Sequence, residues 1–354
     1  MFADFIMTHD KRWSQVLESC AHDIYHLPAY IEFAAWHEKG VPTAFYAEQE
    51  GARFLVPLLL RDVPAELGAP VRWQDAMTPY GYPGPILCPS DDGPTLRRFL
   101  EAFTQRCEAQ NIVTAFIRLH PLLEMPTDIL QGYGELVSHG QTVAVDLSPA
   151  IEVIRGQFRE NHRRDIRKLV EAGFQVRRDC WEYYDDFVKV YRETMERLGA
   201  TEFYFFTDTY FSKLRAALGS HLHLFTVCSS DGSVASAALF TSINQFVQYH
   251  LGATDERFLA NAPSKLLFDD AIRWAKGEGY RSLHLGGGVG AKEDSLFRFK
   301  AGFSSVRCMF NTYRMVFSEQ KYAMLNDRWC DRYSSAEDSP EFFPKYRASH
   351  SWSG

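Results

Sequence analysis

The stretch HLGGGVGAKEDSLFRFKAGF, residues 284–303, decides how this chain is read. A β-type run at 281–285 meets a glycine loop at 286–290. A short helix-like run follows, carrying Arg298, Phe299 and Lys300, and Gly302 stops it. Glycines at a strand end let backbone N–H groups approach a ligand without side-chain obstruction. A cation one helix beyond can stabilise an oxyanion as it forms. Other glycine-loop chemistries do not fit. A phosphate-binding P-loop requires Lys followed by Ser or Thr after its last glycine. Here Gly290 is followed by Ala291, and Lys292 by Glu293. A dinucleotide fingerprint opens a βαβ unit with GxGxxG. Ala291 stands where its third glycine belongs, and the loop lies near the chain end.

Working outward, residues 142–147 read as a strand and 148–173 as one long helix, with Ser148 at the N-cap, Pro149 in the first turn and Gly173 at C′. A strand at 174–178 and helices at 183–198 and 208–218 come next. Strands at 221–229, 233–242 and 246–251 are joined by Asp231-Gly232 and Asn244-Gln245 turns. A helix at 264–276, the strand ending at Leu285, the short helix and a last strand at 307–316 complete this half. The first half reads as helices at 12–20 and 29–37, a hairpin of 43–48 with 53–61 around Glu50-Gly51, an irregular Pro/Gly segment at 78–87, a helix at 95–110 and a buried strand at 112–119. Gly132, Gly134 and Gly140 mark a boundary region.

Composition bounds the class. With 354 residues, two domains are expected. The chain is 46% hydrophobic and 23% charged, as in globular proteins with sizeable cores. No apolar run is long enough to span a bilayer, and residues 1–13 lack the basic-then-apolar pattern of a secretory signal. Seven scattered cysteines without CxxC indicate neither a disulfide framework nor a zinc site and point to a cytoplasmic setting. A formal charge of −7 argues against general DNA binding. Charge is nevertheless segregated: eight Lys or Arg lie between Arg155 and Arg178 against three acids. Arg155, Arg159, Arg163 and Arg167 recur at i+4 on the expected long helix, a stripe able to hold phosphates or to serve as a solvated face.

The glycine loop followed by Phe299-Lys300-Ala301-Gly302-Phe303 resembles the ending of the Fem family of aminoacyltransferases, a branch of the GNAT acyltransferase superfamily. The Asp146-Leu147-Ser148 run ahead of a basic helix, and Tyr249-His250 before Gly252-Ala253, are similar to that family too. The resemblance implies an α+β fold of tandem GNAT-like domains, each a mixed, mostly antiparallel sheet flanked by helices: an N-terminal domain at 1–140, a C-terminal one at 141–318, and an extension at 319–354. It implies catalytic roles for Lys300, Phe299 and His284, and donor or acceptor contacts from Gly286, Gly287, Gly288, Tyr249, His250, Arg159, Arg163 and Arg167. No metal or resident cofactor is expected, and the donor is aminoacyl-tRNA or acyl-CoA. The chain departs from the family in lacking a coiled-coil arm and a [Gln/Arg]-x-x-Gly-x-[Gly/Ala] loop for CoA, and in placing His284 where relatives carry Asp or Asn.

Three functions stay open at this point. One is transfer of an aminoacyl or acyl group to an amine of a cell-envelope precursor, of the peptidoglycan or sugar-nucleotide type. Another is acyl-CoA-dependent sugar N-acylation. The last is ligand binding without catalysis. His221 and His223, two apart on one strand, are read as packing residues, since further metal ligands are not evident. In the aromatic-rich tail, residues 321–331 are expected to form a helix packed on the second domain, with Trp352 further along the same extension.

Overall fold

The computed structural model describes residues 1–69, 72–89, 93–333 and 342–348; Trp352 lies outside them. In chain order the first half comprises β1 (Phe2–Ile6), α1 (Lys11–Ser19), α2 (Pro28–Glu38), β2 (Val41–Gln49), β3 (Ala52–Asp62), β4 (Gln74–Met77), β5 (Ile86–Cys88), α3 (Gly93–Ala109), β6 (Ile112–Arg118), α4 (Thr127–Leu130) and β7 (Glu135–Asp146). The second comprises α5 (Ile151–Gly156), α6 (Glu160–Glu171), β8 (Gln175–Arg178), α7 (Tyr184–Leu198), α8 (Asp208–Leu218), β9 (Leu222–Cys228), β10 (Val234–Ile243), β11 (Phe246–Thr254), α9 (Ser264–Gly277), β12 (Ser282–Gly286), α10 (Ser295–Lys300), β13 (Arg307–Val316) and α11 (Glu319–Arg332).

The chain divides into two units. One comprises Met1–His139 together with Phe310–Gly354, and the other Gly140–Met309. In the first unit the strands lie in the order β1-β2-β3-β4-β6-β13, with β5 paired to β3. Every pairing along that path is antiparallel except β4 with β6. In the second unit the order β8-β9-β10-β11-β12-β7 repeats the same signs, with β11 and β12 as the parallel pair. The parallel pair is the place where a helical crossover is needed: α3 lies in the chain between β4 and β6, and α9 between β11 and β12. The closing strands are exchanged in chain order. β7 follows β6 but pairs with β12, while β13 follows β12 but pairs with β6.

Each unit buries its own core. In the first, Phe45, Phe54, Leu58, Phe99 and Phe103 pack with Ile117 and Tyr313 beneath α3. In the second, Phe158, Phe225, Phe240, Leu267, Phe268, Leu285 and Phe303 form the core under α6 and α9. The hairpin at Glu50-Gly51 forms as read, with φ of 53° and 87° at those two residues.

Two expectations are corrected. The terminal segment is not a separate extension on the second domain. Pairing of β13 with β6 returns the chain to the first unit, and Leu325 and Trp329 of α11 pack there against Val63, Leu67, Trp73 and Tyr346. The helical period at 321–331 was readable, but the strand pairing that decides which unit α11 covers is non-local. The long helix at 148–173 is also two helices. Ala150, not Ser148, caps α5, and Gln157-Phe158-Arg159 interrupts the run before α6.

Trp329 is nearly fully buried, and its indole N–H donates to Ala348 O at 3.2 Å. Trp329→Ala is expected to destabilise the first unit by about 3–5 kcal/mol. Hydrogen exchange checks this: amides of α11 and β6 should lose protection while those of α9 and β12 keep theirs.

Candidate functional site

In the second unit the parallel pairing of β11 with β12 covers Phe246–Ser282, Val247–Leu283 and Gln248–His284 and then ends. β11 continues to Thr254 along β10 alone. The register explains the divergence. Phe240 pairs with Tyr249 and Leu239 with Leu251, so His250 is an extra residue in β11, a β-bulge. Bulges bend a strand and re-aim its side chains. The bulge leaves His250 buried, with no hydrogen-bond partner for Nε2 among the described residues. Burial pushes its pKa down to about 4, so the imidazole is neutral at neutral pH.

The glycine loop begins where the strands part. Gly286 ends β12 with φ of 77°. The loop then turns back over α10. Asp294 caps that helix, accepting from Phe297 N at 2.8 Å and from Val289 N at 3.0 Å. A Cβ on Gly288 would collide with the Asp294 carboxylate and Lys292 O, so the loop closes this tightly only with glycine there. Lys300, the last residue of α10, is buried. Its Nζ donates to Gly287 O at 2.7 Å and lies 5.3 Å from the centroid of the Tyr249 ring. Among the described residues the other two ammonium donors have no acceptor. Burial pushes the Lys300 pKa down to about 7, with Asp294 partly opposing the shift.

Behind Lys300 the turn is bolted to α6. Arg159 N donates to Gly302 O at 2.8 Å, and the Arg159 side chain donates to Arg298 O at 3.1 Å. His162 Nε2 bonds Phe299 O at 3.0 Å, and the His162 ring packs on Phe299 and Phe303. A Cβ on Gly302 would strike the His162 ring. These contacts break the expected long helix. Phe158 turns into the core against Phe303, and the Arg159 amide leaves the helix ladder for Gly302. Arg155 is therefore not part of the Arg159-Arg163-Arg167 surface; it pairs with buried Asp269 at 2.8 Å. Arg163 and Arg167 are exposed on α6.

The structure brings Lys300, Gly287 and Tyr249 together, with Phe299 and Arg159 supporting the same turn. It places His284 differently from a base. The His284 ring nitrogens bond Gln248 Oε1 at 2.7 Å and Thr142 Oγ1 at 2.8 Å, bridging β11, β12 and β7 in the core. Sequence reasoning missed the bulge, His162 and the Asp294 cap. Only the cap left a signal, an Asp directly before the Ser295 helix start. Elsewhere, His223 joins Asp179 at 3.2 Å and Ser242 Oγ at 2.9 Å, a Ser–His–Asp array. Ser242 is 3% exposed and its Oγ also accepts from Tyr280 at 2.8 Å, so the array is a packing network rather than an accessible nucleophile. No metal-ligating cluster occurs among the described residues.

Residues 156–300 match the family model described as "Acetyltransferase (GNAT) domain". No curated protein matches the sequence. Among solved structures the chain is similar to FemX, with 14% identity and a TM-score of 0.70 over 92% of this chain and 99% of that one. It is similar to L-PGS from Bacillus licheniformis, with 13% identity and a TM-score of 0.56 over 90% and 96%. It is also similar to the C-terminal domain of a putative lysylphosphatidylglycerol synthetase from Agrobacterium fabrum, with 14% identity and a TM-score of 0.52 over 88% and 92%. The chain thus has a Fem-like GNAT fold, and its glycine loop and Lys300 fall within the matched GNAT domain.

The packing of Gly302 against His162 yields one expected outcome. Gly302→Ala should lower stability by roughly 1–3 kcal/mol through overpacking. His162→Ala in the same chain should recover part of that loss in denaturant melts. Lys300 yields another. Between about 7 and its ordinary 10.5 the unfolded chain holds a proton that the folded chain has released, so this group makes stability rise with pH across that window. Lys300→Met should therefore gain stability relative to the parent at pH 6 and lose that advantage progressively as pH rises from about 7 toward 10.5. The changing difference is up to about 1.4 kcal/mol per pH unit, read from paired denaturant titrations.

Proposed function

We propose that this chain is an acyltransferase that moves an aminoacyl or acyl group onto an amine of a cell-envelope precursor in the cytoplasm. The observation that carries the reading is the buried Lys300 ammonium, held on Gly287 O with two donors left over, beside a strand pair that opens at the bulge. The Fem-like fold supports an aminoacyl donor. A structural relative named for lysylphosphatidylglycerol synthesis supports an envelope acceptor, because that name describes an aminoacyl group on an envelope lipid.

In this reading the acceptor amine attacks the carbonyl of the donor ester or thioester, the carbonyl oxygen becomes negative, and the tetrahedral intermediate collapses by expelling the donor's alcohol or thiol, which leaves with the amine's proton. Lys300 donates to the carbonyl oxygen. In the free protein Lys300 is divided between its neutral and charged forms near pH 7. Negative charge developing beside it draws the charged form, so the interaction is strongest in the transition state. Tyr249 lies against the ammonium, Phe299 packs the turn that carries it, and the glycine loop leaves backbone close to the ligand. His250 contributes a neutral imidazole whose Nε2 is open to a ligand hydrogen bond. Arg159, Arg163 and Arg167 receive phosphates of the donor or acceptor. His284, bonded to Gln248 and Thr142, positions β12. A second reading, acyl-CoA-dependent N-acylation of a sugar, is favoured by the match to an acetyltransferase family model. Against it stands the missing CoA-type loop.

Mass spectrometry of ligands that co-purify with the protein separates these readings: tRNA or an aminoacylated product supports the first, CoA the second, and a bound ligand with no turnover would overturn both. With the donor identified, Lys300→Met should lower kcat by on the order of a hundredfold to a thousandfold while KM stays near that of the parent. Replacing Arg159, Arg163 and Arg167 with Gln should weaken binding and flatten its dependence on salt. An unchanged salt slope would make that surface merely solvated.

A further inference from the structure

A pair of thiols in the first unit lies outside everything used above. Cys20 caps the C-terminus of α1, its amide bonded to Val16 O. Cys88 ends β5, opposite Arg53 in the ladder with β3. Both thiols are half-exposed, and both lie against Ser19. Cys88 Sγ lies 3.9 Å from Ser19 O, and Ser19 Oγ lies 3.5 Å from Cys20 Sγ. The Arg53 guanidinium donates to Ser19 Oγ at 3.1 Å, placing a cation beside the pair. We propose that Cys20 and Cys88 form a redox-active dithiol that a peroxide converts to an intramolecular disulfide, tying the end of α1 to β5.

The chemistry balances in two steps. One thiol sulfur attacks the peroxide O–O bond, giving a sulfenic acid and one water from hydrogen peroxide. The second thiol sulfur displaces the sulfenic hydroxyl, forming the S–S bond and releasing a second water. Burial, with the neighbouring thiol adding to it, pushes Cys20 up to about 12. Either sulfur can take the peroxide oxygen, and the other then closes the bond. A dithiol reductant reverses the bond by exchange. Cytoplasmic disulfides are characteristically of this transient, responsive kind.

The position gives the bond a consequence. The chain from Cys20 runs directly into Asp23 and His26. Asp23 pairs with buried His120 at 2.9 Å, and the His26 ring bonds Gly84 O at 2.9 Å. Segments 19–26 and 84–88 are therefore already joined by the His26–Gly84 O and Cys88–Ser19 O hydrogen bonds. A disulfide between Cys20 and Cys88 would add a covalent tie at the end of the Pro/Gly segment at 78–87.

The test treats the full chain with one equivalent of hydrogen peroxide, blocks remaining thiols with N-ethylmaleimide, and maps peptides by mass spectrometry. The expected product is a Cys20–Cys88 linked peptide two hydrogens lighter than the separate peptides. Dithiothreitol should remove it and Cys20→Ser should abolish it. Hydrogen exchange across residues 78–88 should be slower in the oxidised chain. Recovery of both cysteines separately alkylated, separately over-oxidised, or linked to other cysteines would overturn the proposal.

Discussion

The hydrogen bond from the buried Lys300 ammonium to Gly287 O is the contact on which the site in the second unit depends. An ammonium taken out of water is stabilised only by partners brought to it, and one carbonyl is a sparse complement. Burial accordingly pushes Lys300 down to about 7. The surrounding residues are selected by that placement. The Asp294 cap fixes the start of a six-residue helix, so its last residue has a defined position. Gly288 lets the loop close over the cap, and Gly302 lets His162 and Arg159 hold the far end. Each constraint is local, yet together they hold a charged group rigidly with donors in reserve. A site of that kind needs no reorganisation when negative charge develops.

Much of the second unit was legible because its signals are local. Asp208–Leu218 and Arg307–Val316 fall on the residues that period and turn chemistry indicated. The glycine loop and Phe299-Lys300 were singled out because loop glycines and a following cation have a recognisable chemistry. What escaped was set by contacts between distant residues. β1 and β4 are short and are defined by their pairing, β1 with β2 and β4 with β3 and β6. The break before α6 depends on Gly302, more than a hundred positions downstream, accepting from the Arg159 amide. The bulge at His250 is a property of register between β10 and β11, invisible to the alternation of either strand alone. His284 shows the converse error: next to a glycine loop in sequence, it reads as catalytic, but strand pairing gives it Gln248 and Thr142 as partners.

The repeated strand pattern makes a comparison possible within one chain. In the first unit the parallel pair β4 and β6 ends at Met77 and Phe116, the counterpart of Gln248 and His284. Beyond that point the first unit satisfies its own backbone. Thr78 N donates to Phe116 O at 2.9 Å, Arg118 N donates to Thr78 Oγ1 at 2.9 Å, and the Arg118 guanidinium donates to Thr78 O at 2.7 Å. Glu38 accepts from Tyr80 N at 2.9 Å and holds the chain that follows. The cation of this unit is spent on its own carbonyls.

The second unit does the opposite at the equivalent place. Past Gln248 the bulge carries β11 away, His250 Nε2 is left without a partner, and Lys300 contacts a single carbonyl. Unsatisfied buried polar groups are costly, and folded proteins retain few of them without a use. His250 Nε2 is such a group among the described residues, Lys300 has a single acceptor, and in the proposed reading a ligand completes both. The same sheet pattern is therefore finished in two ways: the first unit closes its opening with Thr78 and Arg118, and the second leaves its opening less fully bonded. In the proposed reading that contrast is the physical ground for favouring the second unit as the place of the reaction.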